Sequence, residues 1–211
     1  MGRPAWTTIL VLMTAALAGG CALPTVDEIL DGYAQEMPAW AGEPDACAAD
    51  HVPPRDRPIT YLGDRCLDRP RSCIRECEQG DANACYALAL ALQQRYPEEP
   101  PVIQALFLRS CELGVVSGCT NHAAGKSDEH GECKARTFAA TCAADDPWGC
   151  AMHGLCLHEG LGVERDVAAA RRAFERSCEL DQEDPACHHA LMALARIDAE
   201  AVRDGAAADG P

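Results

Sequence analysis

The chain has 211 residues, a formal net charge of −15 and 14 cysteines. A surface this acidic repels nucleic-acid phosphates, which excludes a nucleic-acid-binding protein. Fourteen thiols would be a liability in a reducing cytosol, so the composition indicates an oxidising compartment in which disulfides form.

The first 20 residues have the pattern of an export signal peptide. Arg3 is the only charge before an apolar run from Trp6 to Leu17, and small residues follow that run. At about 12 residues the run is shorter than the roughly 20 residues that a membrane-spanning helix needs. We therefore predict a signal peptide over residues 1–20.

The end of this signal, Ala18-Gly19-Gly20-Cys21, resembles the lipobox of bacterial lipoproteins. The resemblance implies that Cys21 carries a lipid, which anchors the chain at the periplasmic side of the bacterial envelope. No aspartate stands directly after Cys21, and in that family this is typical of outer-membrane sorting. The alternative is ordinary cleavage after Ala18, which would leave Cys21 as a plain cysteine.

Residues 21–58 are rich in proline and predict a lipid-anchored tether. Within it, the segment from Thr25 to Met37 could form one amphipathic helix with Ile29, Leu30 and Tyr33 on a face. Residues 59–203 are expected to form a helical array. The small and polar residues 204–211 predict a disordered tail that frays.

Four cysteine pairs divide the array into similar units. The first cysteines of successive pairs are 34, 31 and 36 residues apart, and seven or eight residues separate the two members of a pair. A constant element at this period is typical of a repeat array rather than one globular core. The pairs are Cys77 with Cys85, Cys111 with Cys119, Cys142 with Cys150, and Cys178 with Cys187.

The unit from Gly149 to Leu180 shows the expected secondary structure most clearly. A first helix ends near Gly160, a glycine-rich turn follows, and Asp166 is well suited to cap a second helix. Four residues of that second helix recur at spacings of 3, 4 and 4 on one face: Val167, Ala170, Phe174 and Cys178. We therefore predict an all-α fold, an α-solenoid of antiparallel helix pairs.

Several segments resemble the Sel-1-like repeat, a relative of the tetratricopeptide repeat. The resemblance is fullest over Gly160–Asp166, Ala173-Phe174 and Cys178–Leu180, while Ala84–Tyr86 and Cys111–Gly114 match other parts of the pattern. The paired cysteines look like those of the Helicobacter cysteine-rich protein branch of this family. The resemblance covers roughly residues 70–195 and implies one disulfide in each repeat. The second and third units depart from the family pattern in their turns.

With each repeat disulfide-bonded, the four pairs would staple consecutive units at their tight loops, as Cys77–Cys85, Cys111–Cys119, Cys142–Cys150 and Cys178–Cys187. We predict a fifth bond between Cys133 and Cys156, because they should lie on antiparallel helices that face each other. Cys66–Cys73 is the preferred further pair. If Cys21 carries a lipid, the remaining number is odd, so one of Cys47, Cys66 and Cys73 is free or intermolecular.

The same branch is associated with penicillin binding and weak β-lactamase activity. Binding or hydrolysis of a β-lactam or peptidoglycan fragment is therefore the alternative function. The sequence offers little support, since neither Lys126 nor Lys134 follows a serine by three residues and no Gly-x-Ser-x-Gly occurs. His153 and His158 are five residues apart, unlike the pair on a metalloprotease helix. We predict no catalytic residue, no metal and no cofactor.

We expect a non-enzymatic scaffold that binds a peptide or protein on a face formed by the first helices of the units. If Cys21 is not lipidated, a secreted effector is a third possibility. Ordinary packing between helices is the alternative for each position proposed to line the face. These positions are Tyr86, Leu90, Asn121, His122, His153 and Leu157.

Overall fold

The computed structural model describes residues 23–41, 46–54, 65–98 and 100–208, and all regular secondary structure within them is helical. This confirms the all-α class. The predicted signal peptide and the lipidation site at Cys21 lie outside the described residues. The α-helices are α1 (Val26–Gln35), α2 (Arg65–Asp68), α3 (Pro70–Glu78), α4 (Ala82–Arg95), α5 (Pro101–Glu112), α6 (Val116–Ala124), α7 (Gly131–Ala143), α8 (Pro147–Glu159), α9 (Val167–Leu180) and α10 (Pro185–Ala208), with short 3-10 helices at Ala48–His51 and Asp128–His130.

Polar side chains cap the starts of several of these helices. At α1 the Thr25 hydroxyl accepts from the N–H of Glu28, and the Glu28 carboxylate accepts from the N–H of Thr25, which forms a capping box. Asp81, Asp146 and Asp166 each accept from the N–H three residues later, at α4, α8 and α9. The predicted cap at Asp166 is therefore confirmed.

Three of the turns between paired cysteines share one backbone conformation. The third residue after the first cysteine has a positive φ, and it is Gly80, Gly114 or Asp145. In all three turns the next residue donates its N–H to the carbonyl five positions back, which closes the helix. The last turn contains one extra residue, and Asp181 at the corresponding position is extended instead, with φ −157°.

All four predicted ladder disulfides are present, and each joins the end of one helix to the start of the next. Their Cα–Cα distances lie between 4.3 and 4.7 Å. Closing a loop this short removes about 2.5 kcal/mol of conformational freedom from the unfolded chain on the chain-entropy model. The predicted Cys66–Cys73 bond is also present, between α2 and α3.

The core is distributed along the chain as four clusters of buried side chains. Each helix from α3 to α9 packs against the next one in sequence. Phe107, Phe138 and Phe174 occupy the same place in successive units, four residues before the first cysteine, and all three are buried. In the first unit Cys73 takes this place. A buried side chain that recurs from unit to unit, without a shared centre, is typical of a helical repeat.

The predicted Cys133–Cys156 bond is wrong. Cys133 lies in the first turn of α7 and bonds Cys47, which is 86 residues earlier in the chain. Cys156 is a free thiol on α8, buried in an apolar cluster with Ala135 and Phe138. The sequence placed these cysteines on neighbouring helices correctly, but α7 turns Cys133 toward the N-terminal segment and α8 turns Cys156 into the core. The prediction that one of Cys47, Cys66 and Cys73 is free or intermolecular is therefore also wrong, since all three are disulfide-bonded within the chain.

The described parts of the predicted tether, residues 23–41 and 46–54, pack against the helices, and we call them the strap. The predicted helix within Thr25–Met37 is confirmed as α1, which contacts α3 and α5 and buries Leu30 to 1% exposure. Farther along the strap, Ala48 is fully buried against α5 and α6, and Asp50 forms an ion pair with Arg136 at 2.8 Å. The prediction of a free tether is wrong for these residues, because their apolar side chains complete the core.

The C-terminal helix α10 continues through residue 208. The first five residues of the predicted frayed tail, 204–208, therefore extend a helix, and residues 209–211 lie outside the described part. Neither α10 nor any other helix within the described ranges combines the length and apolar character needed to cross a membrane.

Candidate functional site

Side-chain contacts connect the even-numbered helices α4, α6, α8 and α10. The amide of Asn121 on α6 donates to the Tyr86 hydroxyl on α4 at 3.1 Å. The rings of Trp148 on α8 and His189 on α10 lie 5.1 Å apart. The strap makes its contacts on α3, α4, α5, α6 and α7. The strap therefore leaves the side of α8 that faces α10 uncovered, and a ligand could bind there.

The positions predicted to line a binding face differ in how far the structure buries them. Tyr86 and Asn121 meet through their hydrogen bond, and both are half-buried. Leu90 is also half-buried but packs against the cluster of buried residues around α3, α4 and α5. Leu157 is buried against α9, so the packing alternative holds for it and its placement on an open face is wrong.

His122 is also misplaced by the sequence prediction. The ring is 1% exposed and points away from an open face, toward the strap. Its Nδ1 lies 2.9 Å from the carbonyl oxygen of Gln104, and its Nε2 lies 3.2 Å from that of Ala46. Burial lowers the pKa of His122, an effect that these two carbonyls partly oppose. A neutral ring donates to one of the two carbonyls, and its burial between them packs the strap against α5 and α6.

His153 is half-buried on α8, and its Nδ1 is buried without a hydrogen-bond partner among the described residues. Desolvation by burial lowers the pKa of His153. The neutral ring is therefore favoured, so His153 contributes packing rather than charge.

A buried carboxylate joins α6 to α8, and the sequence analysis did not identify it. Asp146 accepts from the hydroxyls of Ser117 at 2.7 Å and Thr120 at 2.5 Å, and from the N–H of Gly149 at 3.0 Å. Burial raises the pKa of Asp146 although these three donors oppose that effect. Burial also raises the pKa of Tyr86 to about 12, and the negative charge of Asp146 adds to this increase.

A cavity of about 320 Å³ opens between α8, α9 and α10. Its walls combine two aromatic rings, two methionines and a leucine with a few polar atoms, a composition typical of sites that bury an apolar group. Flexible methionine side chains can adapt to ligands of different shape. The lining residues are Trp148, Ala151, Met152, Leu155, Phe174, His189, Met192, Ala193 and Arg196.

The charged residue in this lining, Arg196, already has anionic partners. Its guanidinium lies 3.3 Å from Glu159 and 4.0 Å from Glu200. Glu200 also lies 3.0 Å from Nε2 of His158, which is 7% exposed. Two carboxylates therefore surround one guanidinium at this end of the cavity.

The described residues contain no group of three or more His, Cys, Asp or Glu side chains placed to hold a metal ion. The hydroxyls of Ser110 and Ser177 donate to backbone carbonyls, and that of Ser117 donates to Asp146. Comparison of the chain with protein-family models, curated proteins and solved structures found no match. The fold and the α8–α10 cavity are therefore the features that bear on function.

Proposed function

We propose that this chain is an exported scaffold that binds a peptide or protein segment through its even-numbered helices. The observation that carries the proposal is the apolar cavity between α8 and α10, with Met192 53% exposed at its edge. Apolar side chains that remain open to solvent beside a preformed cavity are typical of binding surfaces. The hydrogen bond between Asn121 and Tyr86 joins α6 to α4 in the same row of helices.

The scaffold would be an α-solenoid of antiparallel helix pairs of the Sel-1-like type. The repeated disulfides, the repeated buried phenylalanines and the packing of each helix on the next support this architecture. In such an array the first helices of successive pairs line one side. In this chain those helices are α4, α6, α8 and α10.

The six disulfides support export, since such bonds form and persist in oxidising compartments. We propose that a lipid on Cys21 holds the scaffold in the bacterial envelope, on the periplasmic side of the outer membrane. Labelling of exported chain with radioactive palmitate, compared with Cys21→Ser, tests the anchor. Equal labelling of the two chains would contradict it.

Selection from a random peptide library tests the binding function. The chain would be exported, purified with its disulfides intact and used as bait, and hydrogen exchange would then locate each selected peptide. We expect saturable binding that slows exchange in α8 and α10. A library that yields no binder, or protection confined to the strap and α3, would contradict the proposal. Saturable hydrolysis of nitrocefin by the same preparation would instead favour the β-lactamase-like alternative.

A further inference from the structure

We propose that the α8–α10 cavity takes a basic peptide segment, with one apolar anchor side chain in the cavity and cationic side chains beside Glu159 and Glu200. This inference rests on the binding function proposed above and names the chemistry of the partner. It is carried by the shape of the cavity, by the carboxylates at its far end and by the charge of the whole chain.

The cavity belongs to a groove that follows two helices running in the same direction. Trp148 and His189 meet near the starts of α8 and α10, and Glu159 and Arg196 meet farther along both helices. Eleven residues separate Trp148 from Glu159. At a rise of 1.5 Å per residue the groove is therefore about 16 Å long. This length accommodates about five residues of an extended peptide.

The floor of the groove selects an apolar anchor. Phe174 closes the floor from α9 and is 2% exposed, whereas Met152 and Leu155 line the groove from α8 and are half-buried. Met192 covers the α10 side and is more than half exposed. A volume of about 320 Å³ exceeds that of a single large side chain, so one aromatic or branched aliphatic side chain fits together with part of its backbone.

The charges at the groove favour a cationic ligand. At the far end Glu159 and Glu200 lie around Arg196, and Glu200 also contacts His158. Glu159 is the more exposed of the two carboxylates and is therefore the one open to a cationic side chain. The C-terminal end of α8 lies at the same place and adds the negative end of a helix dipole. At the near end Asp184 accepts from the N–H of Ala186 and caps α10, whereas Asp146 is buried against α6 and adds no charge to the groove.

The charge of the chain also indicates whether the groove binds a second copy of this chain or a different protein. The segment 144–203 carries twelve carboxylates and six arginines, and the whole chain has a net charge of −15. Two such surfaces repel each other, so self-association through this groove is disfavoured. A basic segment of another protein gains from the same field, most strongly at low ionic strength.

Three amidated heptapeptides test the inference on the exported, oxidised chain. One has phenylalanine at its centre and lysine at all other positions, the second replaces the lysines with glutamate, and the third replaces phenylalanine with glycine. Titration with fluorescently labelled peptides measures each affinity. We expect the lysine–phenylalanine peptide to bind at least tenfold more tightly than either of the others, and added salt to weaken it.

Two matched pairs of variants locate the site. Met192→Gln should weaken binding about fivefold, whereas Leu191→Gln, a neighbour that is equally exposed but does not line the cavity, should not. Glu159→Gln should weaken the lysine–phenylalanine peptide about threefold to tenfold and strengthen the glutamate peptide, because it frees Arg196. Glu175→Gln, on the exposed surface of α9, should change neither.

The outcomes separate this inference from the binding function. If the glutamate peptide binds as tightly as the lysine peptide, or Met192→Gln behaves like Leu191→Gln, the inference is wrong. The binding function then still stands if library peptides bind and protect the even-numbered helices. If neither the library nor the three heptapeptides yield saturable binding, both proposals are wrong. A dimer of this chain that Met192→Gln dissociates would show that a second copy is the occupant.

Discussion

The two ends of the described chain differ in how completely their helices are covered. Around α3, α4 and α5 the core cluster contains 14 buried residues, and α1 from the strap closes over it. Around α8, α9 and α10 the last cluster contains six, and Leu191 and Met192 on α10 are each more than half exposed. The covered end has the contacts that stabilise a fold, whereas the open end has the apolar surface that a ligand would bury.

The largest effect is expected from a cavity in the covered end. Phe107 is fully buried and its ring lies 5.9 Å from that of Tyr86. Phe107→Ala should lower the free energy of unfolding by about 3–5 kcal/mol, because it removes a large apolar side chain and leaves a void. Urea denaturation followed by circular dichroism measures this loss. A change below about 1 kcal/mol would show that the covered end does not depend on this packing.

The next largest effect should come from the bond that fastens the strap. The double substitution Cys47→Ser and Cys133→Ser opens a loop of 86 residues and should cost about 2–4 kcal/mol. Hydrogen exchange should accelerate in the strap and leave α9 and α10 unchanged, because the strap makes its contacts on α3 to α7.

The matched control removes the ladder bond Cys178–Cys187 at the open end. Because its loop spans only nine residues, the loss should be smaller, about 2.5 kcal/mol at most, and confined to α10. If both double substitutions accelerate exchange in the same helices, the two ends are not independent, and the contrast between them is wrong.

A smaller and pH-dependent effect is expected at the contact between the strap and α6. Because burial lowers the pKa of His122 from 6.5, the unfolded chain binds a proton more readily than the folded one. The stability due to His122 is therefore present above pH 6.5 and declines as the pH falls below it. His122→Gln should cost about 1 kcal/mol at pH 7.5 and should reduce the acid-induced loss. Thermal melts between pH 5 and 8 measure both, and an unchanged pH dependence would contradict the role assigned to His122.

The smallest change in stability is expected at the free thiol. Cys156 is 2% exposed and burial raises its pKa to about 11, so it should resist thiol reagents while α8 stays packed. Cys156→Ala should cost about 1 kcal/mol or less. Mass spectrometry after iodoacetamide treatment should find Cys156 unmodified in the folded chain and modified once urea unfolds it. Rapid modification without urea would show that the region around α8 opens easily.

Much of the fold could be predicted because it depends on contacts between neighbouring residues. The ladder disulfides and the bond between Cys66 and Cys73 join residues seven to nine positions apart, so the turn between two helices is enough to bring them together. The cap at Asp166 and the amphipathic segment that becomes α1 are local in the same sense. The candidate site was less predictable: of the six proposed lining positions, His122 and Leu157 are buried in contacts away from an open face.

The amino-acid sequence by itself determined the helices, their period and the local disulfides, because helix periodicity and short loop closure act over a few residues. Only the tertiary structure decided which thiol Cys133 meets, that residues 23–54 pack as a strap where they are described, and that α8 and α10 enclose a cavity. These outcomes depend on how far each helix is rotated about its axis. That rotation is set by the sum of many packing contacts between distant segments, which no short pattern in the sequence records.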